Sequence, residues 1–325
     1  MYEQNLRAAL DALLTGLPPR QATAAVERLI ASYRGTTQTH APVLRNRADA
    51  VAYAAYRMPA THGAAAAALA ATAARLPGWA PATHTDLGGG TGAATWAVAG
   101  TWPGTCASTV LDWAEPALEL GAELARAALP DVRWRRGRLG GDGERAETDL
   151  VTVSYVLGEL TEADRAAVVA SAARAGRVVV VVEPGTPEGY LRIRAARERL
   201  VEAGLRVVAP CPHSAECPIV PGEDWCHFAA RVSRSSLHRR VKGGTLPYED
   251  EKFSYVAAVR PELAPEGGAG HSRVVRRPQI RKGQVLLELC TPADGLGRTT
   301  VTKRDRDAYR AARDTDWGDT WPPAD

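Results

Sequence analysis

Three of the chain's five cysteines fall inside residues 211–228, "CPHSAECPIVPGEDWCHF", with the spacing Cys211-x5-Cys217-x8-Cys226. Thiolates are soft ligands, and three of them on one loop can share a metal. The prolines around them stiffen the segment and remove backbone donors, so the loop has little capacity to hold itself by backbone pairing. Something else must organise it. A tetrahedral site needs a fourth ligand. Cys290, which ends the apolar run "QVLLELC" with 63 residues between it and Cys226, can supply it and would then tie the C-terminal part of the chain to the loop. His213 and His227 flank the cluster and can take the same place, giving a three-cysteine, one-histidine zinc site. Cys106, in "WPGTCAS", reads as an ordinary small buried residue.

A second constellation is "DLGGGTG", which sets Asp86, Gly88, Gly90 and Gly92 after the run "THTDL" and before "AATWAVAGTW". Glycines let the backbone turn tightly and approach a ligand with no Cβ in the way. The spacing Gly-x-Gly-x-Gly differs from the Gly-x-Gly-x-x-Gly dinucleotide fingerprint. It resembles the first motif of class I S-adenosylmethionine-dependent methyltransferases, in which the ligand lies over the glycine turn and an acid after the second strand takes the ribose hydroxyls. Asp112, closing "TVLD" twenty residues after Gly92, fits that role, with Glu115 as the fallback. A carboxylate suits the position because it accepts two hydroxyl hydrogen bonds at once. The run ending in "SYVLGEL" lacks the Asn-Pro-Pro-Tyr/Phe or Asp-Pro-Pro-Tyr/Phe of amino-methylating relatives, which disfavours that mechanism and leaves the catalytic residue unknown. Glu159 reads as a residue that starts a helix or accepts a hydrogen bond. Pro210-Cys211 is similar to the nucleophile motif of cytosine-5 methyltransferases, but it lies well beyond "VVVVVEPG" and among other cysteines, so metal binding is the preferred reading.

Charge gives a third signal. Lys and Arg number 40 against 37 Asp and Glu, a net +3, so contact with nucleic acid must rest on where the charges lie. "RVSRSSLHRRVKGG" carries Arg231, Arg234, Arg239, Arg240 and Lys242 with no acid among them; "SRVVRRPQIRKG" adds Arg273, Arg276, Arg277, Arg281 and Lys282. Two cationic runs flanking the cysteine loop are the distribution expected of a face that meets phosphates. RNA contact is expected through Arg231, Arg234, Arg239, Arg240, Lys242, Arg276 and Arg277.

The elements that must position these residues follow from periodicity. Residues 1–80 repeat apolar positions at helical spacing, as in "LRAALDALLTGL" and "HGAAAAALAATAARLPG". From 81 to 208 the apolar runs "THTDL", "ASTVLDW", "TDLVTVSYVL" and "RVVVVVEPG" alternate with helical stretches, which predicts a doubly wound parallel sheet. Residues 209–261 hold the cysteine-rich loop and closing strands, and 262–325 begin with the linker "ELAPEGGAGH" and continue as a small β extension. A length of 325 residues and a hydrophobic share of 45% are enough for a sizeable core with appendages. The start "MYEQNLRAALDALLTGLPP" does not read as a secretory signal, and the apolar stretches near 64–73 and 176–183 are too short or too alanine-rich to span a bilayer. A cytoplasmic, monomeric chain with no membrane partner is expected. In a reducing compartment, clustered cysteines are metal ligands or reactive thiols rather than disulfides.

Taken together, "YRMPATHGA", "DLGGGTGAATWA", "SYVLGEL", "VEPGTPEGY", "APCPHSAECP", "DWCHFAARVSRSSLHRRVKG", "YEDEKFSYVAAVR" and "WGDTW" resemble the methyltransferase-like family of mitochondrial small-ribosomal-subunit assembly factors and their bacterial relatives. The resemblance runs from about residue 43 to the C-terminus. It implies an α/β, class I methyltransferase-like fold that binds S-adenosylmethionine or has inherited its pocket, at Asp86, Gly88, Gly90, Gly92 and Asp112. The implied partner is the small ribosomal subunit with its rRNA during assembly. It also implies a 4Fe-4S cluster on Cys211, Cys217, Cys226 and Cys290; four thiolates suit zinc as well, which stays the alternative. Two functions are compatible with it: an active rRNA methyltransferase, or a non-catalytic assembly factor that uses pocket and cluster structurally.

Overall fold

The computed structural model describes residues 1–15, 24, 26, 28, 44, 46–104, 106–139, 146–234, 246–265, 271–293 and 295–323. The predicted strands form where the β-branched runs lie: β1 (Thr83–Leu87), β2 (Ala107–Asp112), β4 (Thr148–Ser154) and β5 (Gly176–Pro184). One strand has no apolar run to announce it. β3 (Arg133–Arg136), "RWRR", is short, largely exposed and parallel to β2 at the sheet edge.

Later in the chain come β6 (Arg206–Ala209), β7 (Phe228–Ser233) and β8 (Tyr248–Val259). Strand order is β3-β2-β1-β4-β5-β8-β6, with β1 to β5 parallel and β8 antiparallel between β5 and β6. This is the class I methyltransferase-like α/β fold.

The crossovers are α4 (Ala93–Thr101), α5 (Glu115–Ala125), α6 (Glu162–Ala175) and α7 (Pro187–Glu202). Local chemistry starts two of them: the Thr161 hydroxyl accepts from Asp164 N–H at α6, and Thr186 accepts from Gly189 N–H at α7 with proline in its first turn. β5 shows the period of two directly. Val179 and Val181 pack on the α6 and α7 side, whereas Val178, Val180 and Val182 pack on the side of α3 (Met58–Ala73) and α4. α1 (Tyr2–Thr15) and α2 (Arg47–Tyr56) join α4 and α5 in a further apolar cluster around Trp96.

β8 changes partner along its outer edge. Its last residues pair with β6, ending at Ala209↔Ala257, and its first with β7, starting at Phe228↔Phe253. The cysteine loop fills the gap between these two strands, and Ser254 Oγ donates to Cys226 O at 2.7 Å to hold it there.

A second sheet contains β9 (Ser272–Val274), β10 (Gln279–Arg281), β11 (Gln284–Thr291), β12 (Gly295–Thr302) and β13 (Thr320–Trp321), with α8 (Arg306–Asp314) against its core of Val274, Val285, Leu287, Leu289 and Val301. Among the described residues no helix is long and apolar enough to cross a membrane.

Candidate functional site

The glycine turn follows β1 directly. Gly88, Gly90 and Gly92 have φ of +72°, +51° and +84°, a region that costs other L-residues roughly 1–2 kcal/mol. A Cβ on Gly92 would lie 2.7 Å from the Trp134 ring, and one on Gly88 2.6 Å from Val156 Cγ2, so both glycines are also demanded by packing. Gly90 differs: a Cβ there would meet only Asp112 Oδ2, at 3.9 Å, so the space above it is open.

Asp112 closes the turn from β2. Its Oδ2 accepts from Gly90 N–H at 2.9 Å and its Oδ1 from Ala114 N–H at 2.8 Å. Burial pushes its pKa up and those backbone donors work against the shift. Each oxygen keeps a second lone pair, so the carboxylate can still accept from a ligand hydroxyl. Glu115, the fallback, is half exposed and paired with Arg136 at 3.0 Å.

Asp86 lies beneath the turn rather than facing its open side. It is fully buried, with Oδ1 accepting from Thr152 at 2.8 Å and Oδ2 from Thr95 at 3.1 Å, and burial pushes its pKa up to about 6. The Thr152 hydroxyl has one proton and gives it to Asp86, so its oxygen accepts from His84 Nε2–H at 2.8 Å, leaving Nδ1 to accept from Ser108 at 3.2 Å. Burial lowers the His84 pKa to about 3 and keeps the ring neutral. This relay ties β2, β1 and β4 together under the turn. The sequence holds no local signal for it, because its members are polar residues on three strands.

Next to the turn, the end of β4 carries Tyr155 at φ +57°, the only described non-glycine residue in that region. Its hydroxyl donates to Glu251 Oε1 at 3.0 Å. Arg57, between α2 and α3, donates to both Glu251 oxygens at 3.0 and 3.5 Å, with its guanidinium 5.7 Å from the Tyr155 ring centroid. Burial and the Glu251 charge raise the Tyr155 hydroxyl well above its usual value. Glu159 lies half-buried in the 3-10 turn Leu157–Glu159, whose Leu157 N–H donates to Glu183 at 3.0 Å; Glu183 in turn accepts from Arg192 of α7 at 2.6 Å.

Cys211, Cys217, Cys226 and Cys290 line one cavity of about 40 Å³, so the structure gathers the three loop thiols with the thiol from β11. Cys290 pairs in register with Arg273 of β9, which places it on the side of the small sheet that meets the loop. Burial and the neighbouring Cys211 and Cys217 push Cys290 up to about 12, and Cys226 is raised well above its usual value by burial, Cys211, Cys217 and Cys290. Among the described residues, however, no group of three or more His, Cys, Asp or Glu is placed to hold a metal ion. A tetrahedral zinc would draw its sulfurs to about 3.8 Å from one another, from Zn–S bonds of about 2.3 Å.

The rest of the lining is cationic, apolar or hydroxyl-bearing, with no carboxylate, and the Tyr190 hydroxyl lies 3.4 Å from Cys217 Sγ. Arg197 is buried, donates to His213 O at 2.9 Å and to Ala215 O, and has no partner for its Nε–H; Arg273 donates from Nε to Pro210 O at 2.9 Å. His213 reaches Cys290 Sγ with Nε2 at 3.6 Å. His227 is stacked on Trp225, with ring centroids 5.1 Å apart, and is absent from the cavity wall. Cys106 sits apart beside Ser108, at 3.9 Å.

The basic run after the loop is not unopposed. Antiparallel pairing sets Asp250 opposite Arg231 and Glu249 opposite Val232. Arg231 therefore donates to Asp250 at 2.9 and 3.1 Å while lying 4.4 Å over the Tyr248 ring, and Arg234 pairs with Glu249 at 3.2 Å. Arg276 is held by Asp224 and by Trp225 O, whereas Arg277 is exposed. Arg239, Arg240 and Lys242 lie outside the described residues. The acids were hidden from a linear reading because they come from the facing strand.

The family model described as mitochondrial small ribosomal subunit Rsm22 matches residues 47–322. The human ribosome assembly protein METTL17, mitochondrial, is 29% identical over 291 residues, covering 83% of this chain and 62% of its own length. Ribosome assembly protein RSM22, mitochondrial, of Saccharomyces cerevisiae is 22% identical over 37% of this chain and 29% of its own length. The chain thus spans less than two thirds of these relatives. Among solved structures, magnesium protoporphyrin IX methyltransferase from Synechocystis with bound SAM is 14% identical, covers 71% of this chain and 89% of that chain, and superposes with a TM-score of 0.39, too low to add to the strand order. The expectation of a cytoplasmic location is overturned here, since each of these relatives, and the tandem proteins of Schizosaccharomyces pombe, is named as mitochondrial.

Proposed function

We propose, for a chain that belongs to the mitochondrial small ribosomal subunit Rsm22 family, that it is an S-adenosylmethionine-binding assembly factor acting on or near small-subunit rRNA. The observation that carries the cofactor reading is the glycine turn: three left-handed glycines, open space over Gly90, and the Asp112 carboxylate beside it with lone pairs to spare. Gly88, Gly90 and Gly92 would shape the floor for the ligand, Asp112 would take the ribose hydroxyls, and Asp86 would brace the turn from below. The bound cofactor supplies an electrophilic methyl group.

Between the two modes of action, the non-catalytic one is favoured by the end of β4. Among the described residues, Tyr155, Glu251 and Arg57 satisfy one another there, which leaves Glu251 engaged rather than poised as a base. At the cavity, four thiols with no carboxylate and two buried arginines suit an anionic thiolate-bound group, a 4Fe-4S cluster with zinc as the alternative. Cys211, Cys217, Cys226 and Cys290 would hold it as a cross-link between the loop and the small sheet.

The test is titration with S-adenosylmethionine and S-adenosylhomocysteine, followed by incubation of labelled cofactor with immature small subunits. Saturable binding of both ligands and retention on the particles, with no label in rRNA, is the expected result. Label in rRNA would replace the assembly-factor mode with the enzymatic one, and absence of ligand binding would sink the cofactor reading.

A further inference from the structure

We propose that the surface which meets RNA phosphates is a ridge on the small sheet, built from the β10–β11 turn, the end of β12 and the outer face of α8. This deepens the rRNA reading above and rests on it. The backbone gathers the ridge. Arg281 pairs with Gln284 across the turn, which leaves Lys282 and Gly283, at φ +79°, as its tip. Thr302 at the end of β12 pairs with the same Gln284, and Lys303 N–H donates to Gly283 O at 3.1 Å. Arg281, Lys282, Lys303 and Arg304 are thereby brought side by side from two segments about twenty residues apart in sequence, and all four side chains are exposed.

The chain then enters α8 through Asp305, whose Oδ1 accepts from Ala308 N–H at 3.0 Å. Arg306, Arg310 and Arg313 follow at i, i+4 and i+7, one face of the helix, while Ala312 on the other side is buried in the small core. Three turns of helix thus continue the cationic line outward from the turn.

What separates this ridge from the other arginine-rich segments is pairing. Among the described residues, Arg281, Lys282, Lys303, Arg304, Arg306 and Arg313 have no carboxylate within 4.0 Å. Arg281 donates only to the Gln279 side chain, and Lys303 Nζ lies 5.8 Å from the Tyr309 ring centroid. Arg310 meets Asp307 at 3.8 Å, with both side chains more than three-quarters exposed, a pair of little worth. Like charges gathered by backbone bonds repel one another; Asp305, Asp307 and Asp314, interleaved with them, offset part of that repulsion, and a polyanion would offset the rest. Among the described residues the aromatic ring on the ridge is Tyr309, only partly exposed and beside Lys303, and the exposed apolar side chain there is Ile280, so the surface offers little platform on which to stack splayed bases. Its chemistry fits the phosphate backbone of folded, double-stranded RNA.

The test compares the full chain with the variant Arg281→Gln, Lys282→Gln, Arg304→Gln, Arg306→Gln, both with their metal content verified equal. Binding to an RNA hairpin of about 20 base pairs is followed by fluorescence anisotropy from about 50 to 200 mM salt, beside retention on small-subunit particles. The variant is expected to bind the hairpin at least about tenfold more weakly and to lower the slope of log K against log salt by about 3 to 4, close to one per phosphate contact removed. Neutralising Arg231 and Arg234 together should change that slope by less than about 1. A quadruple variant with unchanged hairpin affinity and slope overturns the ridge, and so does one that loses only the particles, which would assign the surface to a ribosomal protein. An unaltered chain that binds neither hairpin nor particle overturns the rRNA reading itself.

Discussion

The glycine turn and the thiol cavity are built in opposite ways. The turn is one stretch of consecutive backbone braced by neighbouring strands: left-handed glycines, Gly90 N–H on Asp112 of β2, and the Asp86 carboxylate held by Thr95 and by Thr152 of β4. Most of its polar groups are satisfied with no ligand, the buried Thr91 hydroxyl excepted. The cavity is assembled from side chains that arrive from the loop, α7, β9 and β11, and it leaves groups in want of partners: a buried Arg197 Nε–H and thiols whose ionisation is opposed by burial and by one another. One site is largely built before any ligand arrives; the other is finished only by what it binds.

The sharpest way to break this contrast is Cys290→Ser. Loss of bound metal is expected, with a drop in unfolding free energy on the order of several kcal/mol relative to the loaded chain, because binding free energy at such a site is folding free energy. Thermal melts with metal analysis check it, and Cys106→Ser should leave both unchanged. Affinity for S-adenosylmethionine should survive Cys290→Ser if the turn is self-sufficient.

In the reverse direction, Gly92→Val forces a side chain onto φ +84° and into Trp134, and should cost about 2–3 kcal/mol with weaker cofactor binding. Metal content should not change. Asp112→Asn removes the charge and turns an NH2 toward the Gly90 or Ala114 N–H, so cofactor affinity should fall about tenfold, roughly 1.4 kcal/mol, with a stability loss of about 1–3 kcal/mol; calorimetric titration and thermal melts read the two.

The smallest effect lies in the relay under the turn. His84 has its pKa lowered from 6.5 to about 3, so its contribution is full above pH 6.5 and is lost as pH falls toward 3. Asp86 is raised from 3.8 to about 6, so its contribution is full below 3.8 and is lost as pH rises through 6. Between about pH 4 and 6 the unfolded chain gains a proton at His84 and loses one at Asp86, and the two slopes cancel. In His84→Gln only the Asp86 term remains, and stability relative to the unaltered chain should fall as pH rises across that window, as melting curves would register.

Much of the central sheet was legible because β2, β4 and β5 carry apolar, β-branched runs, as burial on both faces demands, while the polar β1 was marked by the glycine turn that follows it. β3 was not, since an edge strand of three arginines and a tryptophan carries no hydrophobic period. The glycine turn could be read from spacing alone. Convergence of Cys290 with the loop thiols was an alternative in the residues and became specific only through the family resemblance. What pairing did to the arginines after the loop was invisible, because Glu249 and Asp250 reach them across a hairpin. The same blindness hid Arg57, Tyr155 and Glu251, which meet from three distant segments.

The position of Cys290 has a consequence in time as well as in space. It comes last of the four thiols, with 63 residues between it and Cys226, the third to leave the peptidyl transferase centre. A nascent chain can form the glycine turn and most of the large sheet while the fourth thiol is still unmade. The cavity closes only once β11 has been synthesised and has paired with β9. A chain that stops before β11 keeps a plausible sheet yet cannot complete its thiol set, so possession of the bound group would report that synthesis had passed Cys290.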